Sequence, residues 1–305
     1  MLLALGAALA YGASDFIGGR ASTRVHYSVV AAVGAGVALV IAVVAAPLVG
    51  GVVTPGPLAW GVLAGLGSGL GTLFLYRGLA RARVAVVAPT SGVLAAAMPA
   101  GLALLLGERP APITVAGLVL ALPAVWFISG GAGGGADDAR PSGLLDGILA
   151  GLGFGLLFLA LDQAGDSAGL WPLAAGQATA FVLLVPVARK LSRPASQPAV
   201  AAGTEASDHA ADATNAGIDG AARSAARPRP WLPMALATGV LGSVAILLFY
   251  ASTTIGLLTV AAVLTSLYPA GTILLARIVL DERITRRQGI GLALAGCAVV
   301  LITLG

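Results

Sequence analysis

The sequence predicts an all-α polytopic membrane protein, with ten transmembrane helices arranged as a five-plus-five inverted repeat. Composition is the first reason. The chain is 58% apolar and 10% charged, with a mean hydropathy of +0.97, whereas globular proteins carry roughly 25% charged residues. No soluble fold hides that much apolar surface, so the bilayer is the solvent. The second reason is ten apolar stretches, each close to the roughly 20 residues that cross a bilayer core as a helix. The third is a duplication. LGERPAPITVAGLVLALPAVWFISGG and LDERITRRQGIGLALAGCAVVLITLG align without a gap, so that Glu108, Arg109 and Gly117 meet Glu282, Arg283 and Gly291. The same offset pairs Tyr76 with Tyr250.

The apolar stretches fall at about 2–19, 28–49, 57–79, 84–106, 111–129, 143–164, 169–190, 231–253, 257–280 and 285–304. Backbone groups in lipid must be satisfied within their own segment, which requires helices here, and the period-two alternation of a membrane barrel is absent. The first stretch, MLLALGAALAYGAS, lacks a basic n-region and leads directly into further spans, so it reads as a retained helix rather than a signal peptide. Residues 130–142 are a Gly-rich connector, GGAGGGADDARPS. They form no phosphate loop, because no Lys-Ser/Thr pair follows. Residues 192–230 are poor in large apolar side chains and read as a disordered loop.

Five helices separate Glu108 from Glu282. An odd number reverses direction, so the two copies face opposite sides of the membrane. The first repeat is then 1–129 and the second 143–305. Many secondary transporters are built this way, with the substrate near the midplane between the repeats. Charge agrees with the helix count. Of the 17 Lys and Arg residues, Arg109 alone falls in an even-numbered connection. The positive-inside rule then places odd-numbered connections in the cytoplasm and both termini outside. The pI of 9.7 therefore reflects topology, and nucleic acid is not an expected partner.

The LGER and LDER turns, each followed by an apolar helix of the form G-x-x-L-x-x-A-G, resemble the EamA-like transporters of the drug/metabolite transporter superfamily. LLGERPAPITVAGLVLAL (105–122), VLDERITRRQGIGLALAG (279–296) and LAYGASDFIGG (9–19) carry the resemblance. Ten helices in two halves fit it too, with the 192–230 loop outside it. Copy one has Pro110 and Pro112 where copy two has Ile284 and Arg286, so the two turns differ. The resemblance implies a multi-pass protein of the cell membrane that exports small metabolites or drugs by alternating access. Amino acids, nucleosides, sugars and amphipathic toxins are typical substrates. Eukaryotic relatives are drawn with both ends in the cytosol, opposite to the charge count.

Residues that could carry transport are few. Asp15 is the ionisable residue deepest in a span, and such residues are functional by default. It lies roughly 20 Å along the first helix, with Tyr11 and Ser14 on its face. It could bind protons or a cationic group, or else pair with Arg20 or Arg24 at the interface. Ser68, Thr72 and Tyr76 share one face of the third helix, and Ser243 and Tyr250 one face of the eighth. Such hydroxyls line a substrate cavity, glue helices together or bond their own backbone.

Proline frees the carbonyl four residues back. Pro89, Pro99 and Pro269 are therefore candidate hinges, with Thr90, Ser91, Thr265, Ser266 and Tyr268 as cavity candidates beside them. Glu108, Arg109, Glu282 and Arg283 sit at helix ends and read as turn or gate residues; on opposite faces, the glutamates cannot form a carboxylate dyad. Gly61, Gly65 and Gly69, with Gly147, Gly151 and Gly155, form small-xxx-small ridges for close packing. Trp171 and Trp231 read as interface anchors, and Asp162 and Asp166 as interfacial.

Cys297 is the single cysteine and His26 and His209 are the only histidines, so neither a metal site nor a cofactor is expected. Nucleotide motifs are absent, which argues against an ATP-driven pump. The leading expectation is a secondary exporter of small organic metabolites, such as amino acids or similar amphipathic solutes. A flippase for a lipid or lipid-linked sugar is the alternative. An intramembrane enzyme ranks last, for want of converging acid–base groups.

Overall fold

The structure is a computed structural model that describes residues 2–105, 111–128, 143–165, 167–192, 230–255, 268–280 and 285–304. Within these the chain forms ten helices: α1 (Leu2–Ser22), α2 (Tyr27–Val49), α3 (Pro55–Arg81), α4 (Val84–Leu105), α5 (Pro112–Ile128), α6 (Leu144–Ala164), α7 (Trp171–Leu191), α8 (Trp231–Ile255), α9 (Tyr268–Leu280) and α10 (Arg286–Leu304). Each corresponds to a span expected from the sequence. Five are long and apolar enough to cross a membrane: α2, α3, α6, α7 and Trp231–Phe249 of α8. Large apolar side chains such as Val40, Val44, Val119, Val182 and Ile278 are exposed around the bundle, a surface that suits lipid and not water.

Local chemistry sets the helix ends. α2 starts where the His26 ring nitrogen Nδ1 accepts from Ser28 N, satisfying one of the free first-turn donors. α3 and α7 open with proline in the first turn, where the missing N–H costs nothing. Gly143 and Gly165 bracket α6 at φ +73° and +65°, a region that suits glycine.

Proline does not break α4. The helix continues through Pro89 and Pro99. One lost backbone bond is tolerable when neighbouring helices hold both sides of the segment. Pro47, Pro123 and Pro186 are likewise carried inside α2, α5 and α7. Pro269 stands in the first turn of α9 as described.

Glycines decide which helices meet. A Cβ on Gly153 of α6 would stand 2.6 Å from Gly71 N and 2.8 Å from Gly67 O of α3, so those backbones touch. Gly61, Gly65 and Gly69 lie in turn on Pro172, Gly176 and Leu183 of α7. Gly147, Gly151 and Gly155 of α6 receive Thr90, Leu94 and Met98 of α4. Both ridges expected from the sequence therefore pack, each against a different helix. The ascending order of partners makes α3 parallel to α7 and α4 parallel to α6. By the same reasoning α2 is antiparallel to α7, with Gly36 on Phe181 and Gly51 on Ala168.

Helices group across the sequence halves. α3 packs on α6 and α7, and α4 packs on α6; α8 packs on α1 and α2, and α9 packs on α1. α5 and α10 pair with each other and rest on α4, with Val86 and Val93 of α4 buried among Ala121, Ala124, Ala295, Ala298 and Val299. The two larger groups meet along α2–α7, α1–α3 and α4–α9.

The connections sort to two ends. At one, Arg24 reaches Met234 at the start of α8, and Arg81 stacks over Tyr27 at the start of α2. At the other, Val52 N donates to Ser167 O, joining the α2–α3 and α6–α7 connections.

Candidate functional site

The polar residues of the bundle interior converge where the two helix groups meet. Asp15 sits half-buried on α1 and makes no hydrogen bond or ion pair with the described residues. Neither Arg20 nor Arg24 pairs with it, so the interfacial ion-pair alternative is not what this structure contains. Arg24 turns instead to Met234 Sδ, 3.6 Å away. Three of the chain's five tyrosines, Tyr11, Tyr76 and Tyr268, lie within electrostatic reach of Asp15.

Each tyrosine comes from a different helix. Tyr11, one turn before Asp15 on α1, faces Tyr268 of α9 with ring centroids 6.1 Å apart and planes tilted by 57°. Aromatic pairs favour such tilted arrangements. Tyr268 can come that close because Gly12 has no side chain: a Cβ there would stand 2.9 Å from Tyr268 O. Thr272 Oγ1 closes the same contact by donating to Gly12 O at 3.3 Å.

Tyr76 arrives from α3, the other group. It is 5% exposed, and the hydroxyl end of its ring lies against Gly18, where a Cβ would be 2.5 Å from Tyr76 Cε1 and 2.6 Å from its hydroxyl oxygen. Ser14 Oγ donates to Thr238 O at 2.9 Å, tying α1 to α8. Along α3, Tyr76 stands about 12 Å past the helix middle. The helix begins at Pro55 and runs on beyond it by only five residues, to Arg81.

α4 supplies two hydroxyls. Thr90 and Ser91 are both 0% exposed, and neither Thr90 Oγ1 nor Ser91 Oγ has a hydrogen-bond partner among the described residues. Thr90 packs its Cβ on Gly147 of α6. Ser91 lies beside Tyr268 of α9, and Gly92 admits Pro269 just below it. Here α4 and α9 touch with little between them.

Other sequence candidates fall elsewhere. Ser243 is buried and spends its hydroxyl on Gly239 O of its own helix at 2.7 Å, the self-bonding role open to a serine in a membrane helix. Ser68 and Thr72 are half-buried on α3. Thr265, Ser266, Glu108, Arg109, Glu282, Arg283 and Asp166 lie outside the described residues, as do the side chains of Pro99 and Tyr250. Asp162 is exposed at the end of α6 and accepts from Gln163 Nε2 at 3.3 Å.

Sequence reasoning passed over four participants. Thr272 follows Tyr268 by four residues, so the same-face rule applied to α3 would have found it. Thr238 and Gly18 gain their roles from partners on other helices, which spacing alone does not show. Asp146 of α6 is the fourth. Arg77, expected in a connection, lies inside α3, and its Nε and Nη2 both donate to Asp146 Oδ1 at 2.6 Å. Phe74 covers the guanidinium, its ring centroid 4.6 Å away. This bridge joins the first sequence half to the second.

Among the described residues no His, Cys, Asp or Glu cluster could hold a metal ion. The arrangement is instead one carboxylate among aromatic rings and hydroxyls, contributed by α1, α3, α4, α8 and α9, within a helical bundle wrapped in apolar side chains.

Residues 218–304 match the EamA-like transporter family. The match runs through α8, α9 and α10 and contains the second LDER turn, so it bears out the resemblance carried by that turn. EamA-like proteins are membrane transporters of the drug/metabolite superfamily rather than enzymes, and the apolar helices agree with an integral membrane protein. No curated protein matches the chain.

Proposed function

We propose that the protein is a secondary transporter that exports small organic metabolites, amino acids or similar amphipathic solutes, across the cell membrane by alternating access. The observation that carries this reading is the position of Asp15. A carboxylate without an ionic partner among the described residues sits within a membrane helix, ringed by three tyrosines, where the two helix groups meet. Intramembrane carboxylates are costly and usually mark a substrate or ion path. Protons are the expected coupling ions.

An inverted repeat of 1–129 and 143–305 is the architecture we assign. Three features support it: the antiparallel run of α2 and α7, the sorting of connections to two ends, and the reciprocal packing in which α3 lies on α6 and α7 while α8 lies on α1 and α2. On this reading the moving bodies are not the sequence halves. They are the mixed groups α1–α2–α8–α9 and α3–α4–α6–α7, and the tyrosines lie across the seam between them. A solute binding at the seam is then released to one side or the other as the groups rock.

Purified protein in liposomes tests the proposal. Accumulation of a labelled amino acid is the expected result. Scrambling of fluorescent lipid without solute uptake would support a flippase instead. Tyr76→Ala and Tyr268→Ala should each lower the transport rate about tenfold, in line with the ~1.4 kcal/mol that one aromatic contact can carry, with expression preserved. Wild-type rates in both variants would remove these tyrosines from the site.

A further inference from the structure

One end of the seam between the helix groups is shut by a stack of contacts, each joining α1 or α2 to α3. Innermost, Tyr76 sets the hydroxyl end of its ring against Gly18. Next, Leu79 fills the notch at Gly19, where a Cβ would stand 2.7 Å from Leu79 Cβ. Outermost, the Arg81 guanidinium lies over the Tyr27 ring, 5.1 Å from its centroid. Tyr76, Leu79 and Tyr27 are buried, and Arg81 is exposed at the mouth. Arg20 follows Gly19 directly, and with Arg24 and Arg83 it stands at this same end. The charge count assigns that end to the cytoplasm.

The α2–α7 contact has a different form. Ala31 and Ala188 lie in one buried cluster toward the end just described. Further along, Gly36 lies on Phe181, and Gly51 meets Ala168 at the far end. An interface that holds at both ends suits a pivot, and turning about it parts α1 from α3. The Leu79–Gly19 contact is apolar and Arg81 is already wet, so separating them strands no buried hydrogen-bonding group. A closure of this kind opens at low cost.

We propose that Gly18 and Gly19 of α1, Tyr76, Leu79 and Arg81 of α3, and Tyr27 of α2 form a gate, with α2–α7 as its pivot. The structure holds this gate closed. The assignment rests on the transporter reading and adds which side is shut and by what. Gly19 sets how far the gate closes. An added Cβ at Gly18 meets the far end of the Tyr76 ring, which a change of rotamer can move. At Gly19 it meets the root of Leu79, which moves only with α3.

Thiol labelling of the full-length protein in liposomes reads the gate, in a Cys297→Ala background. Thr72→Cys places the reporter one turn inside Tyr76, on the same face of α3. Thr23→Cys, exposed in the α1–α2 connection, identifies by its own labelling the vesicles that present this end outward. A membrane-impermeant maleimide added to those vesicles should label the Thr72→Cys protein slowly. Adding Gly19→Ala, which holds the helices apart, should speed labelling from this side about fivefold or more, the scale of overpacking. Arg81→Ala removes only the outermost contact and should speed it about threefold, the scale of one exposed cation–π contact. Tyr27→Phe keeps the ring face and should label at the parent rate. If Gly19→Ala does not yield monodisperse protein, Arg81→Ala against Tyr27→Phe decides alone. Parent rates in the Gly19→Ala and Arg81→Ala proteins, or faster labelling from the opposite side instead, overturn the gate.

The two readings fail separately. If the variants label as expected but no labelled amino acid accumulates in liposomes, the transporter reading falls and the closure stands. If a labelled amino acid accumulates while none of the variants alters labelling, the gate falls and the transporter reading stands.

Discussion

Gly153→Ala is expected to destabilise the protein by about 1–3 kcal/mol, toward the upper end of the usual cost of overpacking, although it adds a single methyl group. The added carbon would sit 2.6 Å from Gly71 N, 2.7 Å from Gly71 Cα and 2.8 Å from Gly67 O. All three are backbone atoms of α3, so no side chain can rotate away and the helices must part. Their separation would disturb Gly71 against Phe154 and Gly78 against Asp146 along the same seam. Gly296→Ala is the control. A Cβ there meets nothing within 4 Å, and replacing glycine inside a helix gains up to about 1 kcal/mol. Thermal denaturation in detergent should show a lower midpoint for Gly153→Ala and an unchanged or higher one for Gly296→Ala. Equal midpoints would mean that α3 and α6 are not in backbone contact.

Arg77→Ala should cost about 1.5–3 kcal/mol, the range for a hydrogen bond to a charged group. Arg77 and Asp146 side chains are 30% and 16% exposed, so water relieves only part of the loss. Asp146→Ala leaves the guanidinium against Phe74 but without its acceptor and should cost a similar amount. The two losses should not add. The double variant should lie close to either single one, because each removes the same interaction. Additive losses in the cycle would show that the pair is not coupled. The bridge ties the end of α3 to the start of α6, so the single variants also test whether the group α3–α4–α6–α7 holds together as one body.

The helices were legible because membrane helices follow from local composition. Every one of the ten described helices matches an apolar stretch within a few residues, apart from the α9 region, where the description begins at Tyr268. The glycine ridges were legible as close-packing faces, since small residues at a spacing of four leave few other roles. Their partners were not legible. Gly61 and Gly153 look alike in sequence, yet one lies on α7 and the other on α3.

The site was half legible. Asp15, Tyr11 and Tyr76 stand out as polar groups in apolar spans. Their meeting depends on Gly12 and Gly18, which let Tyr268 and Tyr76 approach α1. Arg77 was counted with the connection because it stands two residues from the end of the 57–79 stretch, whereas α3 continues past it to Arg81. Ser243 takes one of the roles left open for it, its hydroxyl satisfied by its own helix.

Access to the seam from both sides of the membrane is the central claim, and thiol labelling at position 91 measures it most directly. Cys297 is the single native cysteine and is exposed, so Cys297→Ala gives a silent background. Ser91→Cys then places one small thiol between α4 and α9, where Ser91 is fully buried in the present state. A membrane-impermeant reagent applied to right-side-out and to inside-out vesicles should label that cysteine in both preparations, at rates that shift in opposite directions when a bound solute favours one state. Labelling confined to one preparation under all conditions would contradict alternating access.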